Sequence, residues 1–169
     1  MLKLKIRNIL LINYYFLLKN EIVILKYPEI KELNKKYNLN IKDINIEKLD
    51  LSSKGIENDD IKYLEIFKEL KELDLSYNNI SDISVLEKVK FEKLEYLYLG
   101  WNKISNNINI LENVNFKELK ELYLHHNNIS DISVLEKVKL EILDLILNNI
   151  DRNKFSSSVI QNLKLIFRL

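Results

Sequence analysis

Apolar and polar residues follow a fixed order along most of this chain. An eleven-residue frame, L-x-x-L-x-L-x-x-N-x-I, occurs four times, at intervals of 21 to 25 residues. The two leucines of L-x-L lie two residues apart, so in an extended chain they point to the same face while the residue between them points to the other. Each copy therefore predicts one short strand with its leucines in the core. The four copies begin at Leu70, Leu94, Leu119 and Leu140.

The asparagine at the ninth position of the frame stands where the chain must turn after the strand. Its amide can satisfy backbone groups that the turn leaves unpaired, so we expect a structural role for this residue. A weaker first copy begins at Ile46 and has Lys54 at the asparagine position, and a last fragment aligns Leu165 with Leu143. The predicted asparagine ladder consists of Asn78, Asn102, Asn127 and Asn148.

Between the strands, the chain returns through segments that predict short helices or helical turns. Ser84–Glu87 and Ser133–Glu136 match the capping-box pattern, in which a serine hydroxyl and a glutamate three residues later satisfy the first amides of a helix. Asn109–Glu112 is a variant that begins with asparagine. A phenylalanine also lies three residues before the first leucine of three copies, where the repeat predicts core packing. These residues are Phe67, Phe91 and Phe116.

With this frame and spacing, the chain resembles the leucine-rich repeat family. The continuation N-x-I-S-D-I-x-x-L is similar to the short repeats of bacterial internalins and of the cytosolic regulator of protein phosphatase 1. The resemblance implies an α/β solenoid, a curved right-handed horseshoe with a parallel concave sheet and short helices on the convex side. It divides the chain into residues 1–45, an apolar element with a capping helix that begins at Pro28, and residues 46–169, about five repeats plus a partial sixth.

In such a solenoid the third, fifth, seventh and eighth positions of the frame face the concave side. Residues 67–90 and 116–139 are nearly identical and differ at three of 24 positions. All three differences fall at the fifth, seventh and eighth positions, as expected if the concave surface diversifies while the scaffold is retained. They are Asp74 and Tyr123, Ser76 and His125, and Tyr77 and His126.

The concave positions also collect the single Trp, both His residues and several Tyr residues of the chain. Rigid amphipathic side chains of these types are enriched among interface anchors, although Tyr and Trp on strands also stabilise sheets by packing against each other. We expect a site for a protein or peptide, and the flanking carboxylates favour a partner with basic residues. The predicted binding residues are Tyr77, Tyr96, Tyr98, Trp101, Tyr123, His125 and His126, flanked by Glu72, Asp74 and Glu121.

Other classes of function find little support in the sequence. No nucleophile stands beside a base, and His125 with His126 lacks the further ligands of a metal site, so we predict neither an enzyme, nor a metal, nor a cofactor. The net charge of +1 and the absence of a glycine-rich phosphate loop disfavour a nucleic-acid partner. The alternative function is a structural spacer or self-associating segment of a longer surface or secreted protein, held through the C-terminal edge and the apolar residues Ile142, Ile146 and Leu147.

The location of the protein stays open between two expectations. The absence of cysteine favours the cytoplasm. Three basic residues, Lys3, Lys5 and Arg7, precede the apolar stretch 9–18, an order that resembles the start of a secretory signal, so secretion is the second expectation. This stretch is about half the length that a membrane-spanning helix needs, which predicts no membrane span.

Overall fold

The computed structural model describes residues 11–15, 17, 19, 22–23, 26–112, 116–134 and 140–150, and the backbone of residues 164–166. The chain divides into two compact units, Met1–Ile44 and Asn45–Leu169. The second half of the predicted capping box Ser133–Glu136 lies outside the described residues.

The first unit contains helix α1, Pro28–Tyr37. It begins at Pro28 as predicted, because a proline in the first turn lacks only an amide that has no helical partner there. Its buried residues, Ile30, Leu33 and Tyr37, recur at intervals of three and four and so share one face. The helix ends where Asn38 adopts a left-handed conformation with φ of 51°, which asparagine tolerates better than most residues.

The second unit is a leucine-lined solenoid built on one parallel sheet. Its described strands pair in chain order, and each turn of the chain adds one strand beside the last. Residues at equal positions of the frame stand opposite each other; Leu73, for example, pairs with Leu97. The frame therefore determined the register. The strands are β1 (Lys48–Asp50), β2 (Glu72–Asp74), β3 (Tyr96–Tyr98), β4 (Glu121–Tyr123), β5 (Ile142–Asp144) and β6 (Lys164–Ile166).

Leucines at the fourth and sixth positions of the frame form the core beneath this sheet. Leu73, Leu97 and Leu122 are fully buried, and each such side chain contributes about 2 kcal/mol through removal from water. Phe67 and Phe91 are buried as predicted, whereas Phe116 is only half-buried. The predicted aromatic core is therefore confirmed for the first two of its three members.

The asparagine ladder has the predicted structural role. The buried amide of Asn127 donates to the carbonyl oxygens of Leu99 and Leu124 at 2.9 and 3.0 Å, and its oxygen accepts the amide of Ile104 at 2.9 Å. Asn78, Asn102 and Asn148 make the equivalent bonds to their own turn and to the preceding one. Each asparagine thus ties two neighbouring repeats together.

The return segments form 3-10 helices, Asn58–Ile66, Ser84–Glu87 and Asn106–Glu112. The predicted capping box at Ser84 is wrong, because Ser84 lies inside the helix and its amide donates to the Asp82 carboxylate at 2.8 Å. Asn109 likewise lies inside a helix that begins at Asn106. A capping box does occur at Glu57, whose amide donates to Asp60 at 3.0 Å. In the repeat, aspartate rather than serine begins the turn.

Candidate functional site

The outward face of the sheet is arranged in four rows, one for each outward position of the frame. The third row consists of Lys48, Glu72, Tyr96, Glu121 and Ile142, and the fifth of Asp50, Asp74, Tyr98, Tyr123 and Asp144. The seventh consists of Ser52, Ser76, Gly100, His125 and Ile146, and the eighth of Ser53, Tyr77, Trp101, His126 and Leu147. Register places members of the third and fifth rows on adjacent strands, about 4.8 Å apart.

Two tyrosines occupy the centre of the fifth row. The rings of Tyr98 and Tyr123 stack with centroids 4.7 Å apart and planes 11° from parallel. The hydroxyl of Tyr123 donates a hydrogen bond to the carboxylate of Glu121. Burial and this hydrogen bond both raise the pKa of Tyr123. The pKa of Tyr98 is also raised, by burial first and then by Glu72, Glu121 and Asp74, which disfavour a negative phenolate.

The aspartates of the fifth row are partly structural. Asp74 and Asp144 each accept the amide of the residue two positions later, at 2.8 and 3.0 Å. Asp50 accepts both the hydroxyl and the amide of Ser52, at 2.7 and 2.8 Å. These two bonds lower the pKa of Asp50, the hydroxyl more strongly. Their carboxylates therefore fix the turn after the strand and are presented on the outward face with one oxygen engaged.

All five residues of the eighth row have a positive φ. The angle is 57° at Tyr77, 56° at Trp101 and 51° at His126, in the left-handed region that residues other than glycine and asparagine rarely adopt. In this conformation the side chains of Tyr77, Trp101 and His126 form a continuous stack. The rings of Tyr77 and Trp101 are 5.4 Å apart, and those of Trp101 and His126 are 3.6 Å apart. Tyr77 is 55% exposed and Trp101 44% exposed.

His125 is placed differently from the other aromatic residues. A Cβ atom at Gly100 would lie 2.5 Å from Cε1 and Nε2 of His125, so the imidazole covers the space that this glycine leaves empty. Its Nδ1 lies 3.1 Å from Oδ2 of Asp144. The angles do not make a hydrogen bond, and the buried Nδ1 has no other partner among the described residues. Protonation of the imidazole would turn this contact into an ion pair.

The structure separates the predicted site residues into two groups. Glu72, Asp74, Tyr96, Tyr98, Glu121 and Tyr123 lie in the third and fifth rows and are half-buried, while Tyr77, Trp101 and His126 form the stack. His125 lies between the groups, with its ring edge-on to His126. In the seventh row, Ser76 is only 7% exposed, so this position offers little contact surface in the first copy.

Two residues of this surface were missing from the predicted site, Gly100 and Asp144. The sequence held a signal for the first, because Gly100 is one of two glycines and stands at a position where other copies carry a side chain. Asp144 could be placed beside Tyr123 from the frame. The proximity of Asp144 to His125 depends on the side-chain rotamers of these two residues, which the frame does not determine.

In the described part of the chain, no group of three or more His, Asp or Glu side chains is arranged to hold a metal ion. No helix among these residues has the length and apolar character needed to cross a membrane.

Comparisons with known proteins agree with this geometry. Family models of the leucine rich repeat match residues 44–104 and 118–137, the stretches that supply most of the strands and turns described above. The chain is a leucine-rich repeat protein. Such repeats generally mediate protein–protein interaction, and proteins of this kind are generally non-catalytic.

Solved structures add the internalins of Listeria monocytogenes. Internalin C2 is 30% identical with a TM-score of 0.61, and the match covers 74% of this chain and 53% of that one. The internalin inlF is 24% identical with a TM-score of 0.53, covering 86% and 57%, and shows a similar fold alone. The leucine-rich repeat protein thus spans a little over half the length of each. A comparison with curated proteins finds no match. The likeness to the phosphatase regulator stays a prediction.

Proposed function

We propose that this leucine-rich repeat protein is a non-catalytic interaction module that binds a protein or peptide on the outward face of its sheet. The contact surface would comprise the stack of Tyr77, Trp101 and His126 together with the Tyr98–Tyr123 pair. Tyr96, His125, Glu72, Asp74 and Glu121 border these two groups and complete the proposed site.

The left-handed conformation of the eighth row carries this proposal. A bulky residue with positive φ costs about 1 to 2 kcal/mol relative to its ordinary conformation, and glycine or asparagine would avoid much of that cost. Tyr77 and Trp101 accept it while remaining about half exposed to water. Folding alone gives little reason for large aromatic residues there. Strained residues of this kind cluster at binding sites, where the surrounding structure holds them in place.

Sheet packing explains the Tyr98–Tyr123 pair but not the stacked residues Tyr77 and Trp101. Tyr98 and Tyr123 stand opposite each other on β3 and β4, and their stacking stabilises the sheet by about 0.5 to 1 kcal/mol. Tyr77 and Trp101 lie beyond the strand ends, where no cross-strand pair needs them. Exposed aromatic residues near the centre of a surface are the side chains most often found to dominate binding energy.

The test is capture of partners from a lysate by the immobilised chain, with quantification by mass spectrometry. A triple variant, Tyr98→Ala, Trp101→Ala and Tyr123→Ala, should lose the proteins that the natural chain captures. The control is Tyr63→Ala, which removes an aromatic residue from a 3-10 helix on the return side. Both variants must first give a cooperative urea transition. Retention of every captured protein by the triple variant would overturn the proposal.

Self-association is a second candidate, supported by the apolar end of the same surface. Leu147 is 62% exposed, and Ile142 and Ile146 beside it are half-buried. Exposed apolar groups of this kind mark contact surfaces more often than isolated residues do. Light scattering over a hundredfold range of protein concentration decides this case: a mass that rises for the natural chain but not for Leu147→Asn supports it, and a constant monomer mass contradicts it.

A further inference from the structure

Negative charge is concentrated on the outward face of the sheet. The chain as a whole has a net charge of +1. From β1 to β5, however, the third and fifth rows carry five carboxylates and one lysine, Lys48. The imbalance is therefore local, and it surrounds the tyrosine pair. It raises the pKa of Tyr98 in addition to the effect of burial. The carboxylates are Asp50, Glu72, Asp74, Glu121 and Asp144.

The two ends of the tyrosine pair differ in how these carboxylates are occupied. On the β4–β5 side, Glu121 accepts the hydroxyl of Tyr123, and Oδ2 of Asp144 lies 3.1 Å from the imidazole of His125. At this end a donor of the chain itself occupies Glu121, and Asp144 lies beside an imidazole nitrogen that makes no hydrogen bond with it.

On the β2–β3 side the acids have weaker partners. Glu72 forms a salt bridge with the ammonium of Lys48, and the side chain of Lys48 is 75% exposed. Exposed pairs of this kind contribute little and exchange readily with other cations. Asp74 engages Oδ1 with the amide of Ser76, and its Oδ2 accepts no hydrogen bond from the described residues. At this end, therefore, one acid is paired with an exposed lysine, and one oxygen of the other acid accepts no hydrogen bond from the described residues.

The ring of Tyr98 supplies a flat surface beside these acceptors. One of its faces stacks on Tyr123. Register places Asp74 on the opposite side of Tyr98, one strand away, and Glu72 in the adjoining row. The second face of the ring therefore borders both carboxylates. A cation placed there would meet an aromatic face and two acids together, an arrangement that attracts guanidinium groups.

We propose that an arginine side chain of the bound protein lies against the free face of Tyr98 and pairs with Asp74 and Glu72. This inference rests on the proposed function and specifies the partner's chemistry at one subsite. Arginine fits better than lysine because its planar guanidinium stacks on an aromatic ring, reaches two carboxylates with separate N–H groups and loses less hydration. The displaced ammonium of Lys48 returns to solvent.

The test uses a small probe, N-acetyl-arginine amide, titrated into the whole chain at low ionic strength. Two-dimensional NMR should show saturable shifts of the Tyr98 ring signals with a millimolar dissociation constant. N-acetyl-citrulline amide, which has the same shape without the charge, should cause none. N-acetyl-lysine amide should bind several times more weakly. The proposal would be overturned if the citrulline probe caused shifts equal to those of the arginine probe, or if the lysine probe bound as tightly as the arginine probe. It would also be overturned if the arginine probe caused no saturable shift.

A matched pair of variants localises the effect. Asp74→Asn and Asp144→Asn both retain an oxygen that can accept the turn amide, and both remove one charge from the fifth row. Asp74→Asn should weaken probe binding about fivefold, as expected for loss of one exposed charge pair. Asp144→Asn should leave the affinity for the probe within about twofold of the natural chain. An equal loss of affinity in both variants would contradict the β2–β3 location.

Failure of this inference can be told from failure of the proposed function. If the arginine probe does not bind but partner capture still depends on Tyr98, Trp101 and Tyr123, the interaction surface stands and the arginine subsite is wrong. If the triple variant captures every partner while the probe still binds at Asp74, the proposed function is wrong and the subsite is a property of the isolated surface.

Discussion

Two nearly identical repeats, residues 67–90 and 116–139, present different chemistry on the same scaffold. Leu73 and Leu122 are fully buried at equivalent positions, and Asn78 and Asn127 make equivalent hydrogen bonds. The first copy leaves the carboxylate of Asp74 partly unmatched. The second fills the same positions with side chains that pair with their neighbours. Three substitutions are enough for this difference because the inward positions alone determine the fold.

The seventh position shows how far the neighbouring strand limits such changes. His125 fits because the preceding repeat has Gly100 beneath its imidazole. In the first copy the equivalent neighbour of Ser76 is Ser52, which carries a side chain. A histidine at residue 76 could not take the position that His125 has in the second copy without displacing the side chain of Ser52. The outward rows are therefore coupled between adjacent repeats, although the frame treats each repeat as independent.

The largest effect is expected from the asparagine ladder, which should not distinguish the two copies. Asn78→Ala and Asn127→Ala each leave a buried amide, that of Ile56 or of Ile104, without its acceptor. Each variant should lose about 3 kcal/mol of unfolding free energy, the upper end of the cost of a buried polar group without a hydrogen-bond partner. Urea denaturation measures this loss.

The matched controls are the exposed neighbours at the tenth position, Asn79→Ala and Asn128→Ala. Both should stay within about 0.5 kcal/mol of the natural chain, as surface substitutions usually do. Unequal losses at Asn78 and Asn127 would show that the two copies differ in their scaffold as well as in their surface.

A smaller loss is expected where the copies do differ, at the contact of Gly100 with His125. Gly100→Ala should cost about 1 to 2 kcal/mol, since the added methyl group forces the imidazole off its site. His125→Ser, which installs the residue of the first copy, should relieve most of that cost in the double variant. A loss that is equal with and without His125 would place the strain in the backbone that follows β3 and not in this contact.

The sequence predicted the inward half of this molecule well. The spacing of Leu73 and Leu75 determined the strand, its register and its buried face, and the turn made the role of Asn78 physically necessary. Those features recur at the same positions of every copy, so the frame describes them. The burial of Ser76, the position of His125 and the left-handed φ of Tyr77 depend on the shape of the adjacent repeat, which no single frame describes. The predicted capping box at Ser84 is wrong for a local reason, because the carboxylate of Asp82 accepts the amide of Ser84.

The eighth row allows a prediction of opposite sign. Tyr77→Gly removes a left-handed bulky residue that is 55% exposed and has one stacking partner. We expect a gain of up to about 1 kcal/mol in unfolding free energy, since glycine adopts this conformation without steric cost. His126→Gly, its counterpart in the second copy, should gain less because the ring of His126 contacts both Trp101 and His125.

Urea denaturation of both variants measures these gains, and partner capture by Tyr77→Gly should fall at the same time. A stabilised variant with weaker binding is the expected signature of strain held at a binding site. A clear loss of stability in Tyr77→Gly would instead assign the aromatic stack to folding and would weaken the argument for the interaction surface.

The smallest effect concerns the acid–phenol pair that only the second copy has. The pKa of Tyr123 is raised from its ordinary value of 10.0 by burial and by the hydrogen bond to Glu121. Above pH 10 the unfolded chain therefore loses this proton before the folded chain does, so unfolding free energy falls as the pH rises. Tyr123→Phe removes this contribution and should reduce the loss between pH 9 and 11, measured by urea denaturation at several pH values. Asp74→Asn, in the copy without the acid–phenol pair, should keep most of the fall in unfolding free energy between these pH values. If Tyr123→Phe has the pH dependence of the natural chain, the hydrogen bond to Glu121 does not hold the proton, and that end of the tyrosine pair is as open to a cation as the other.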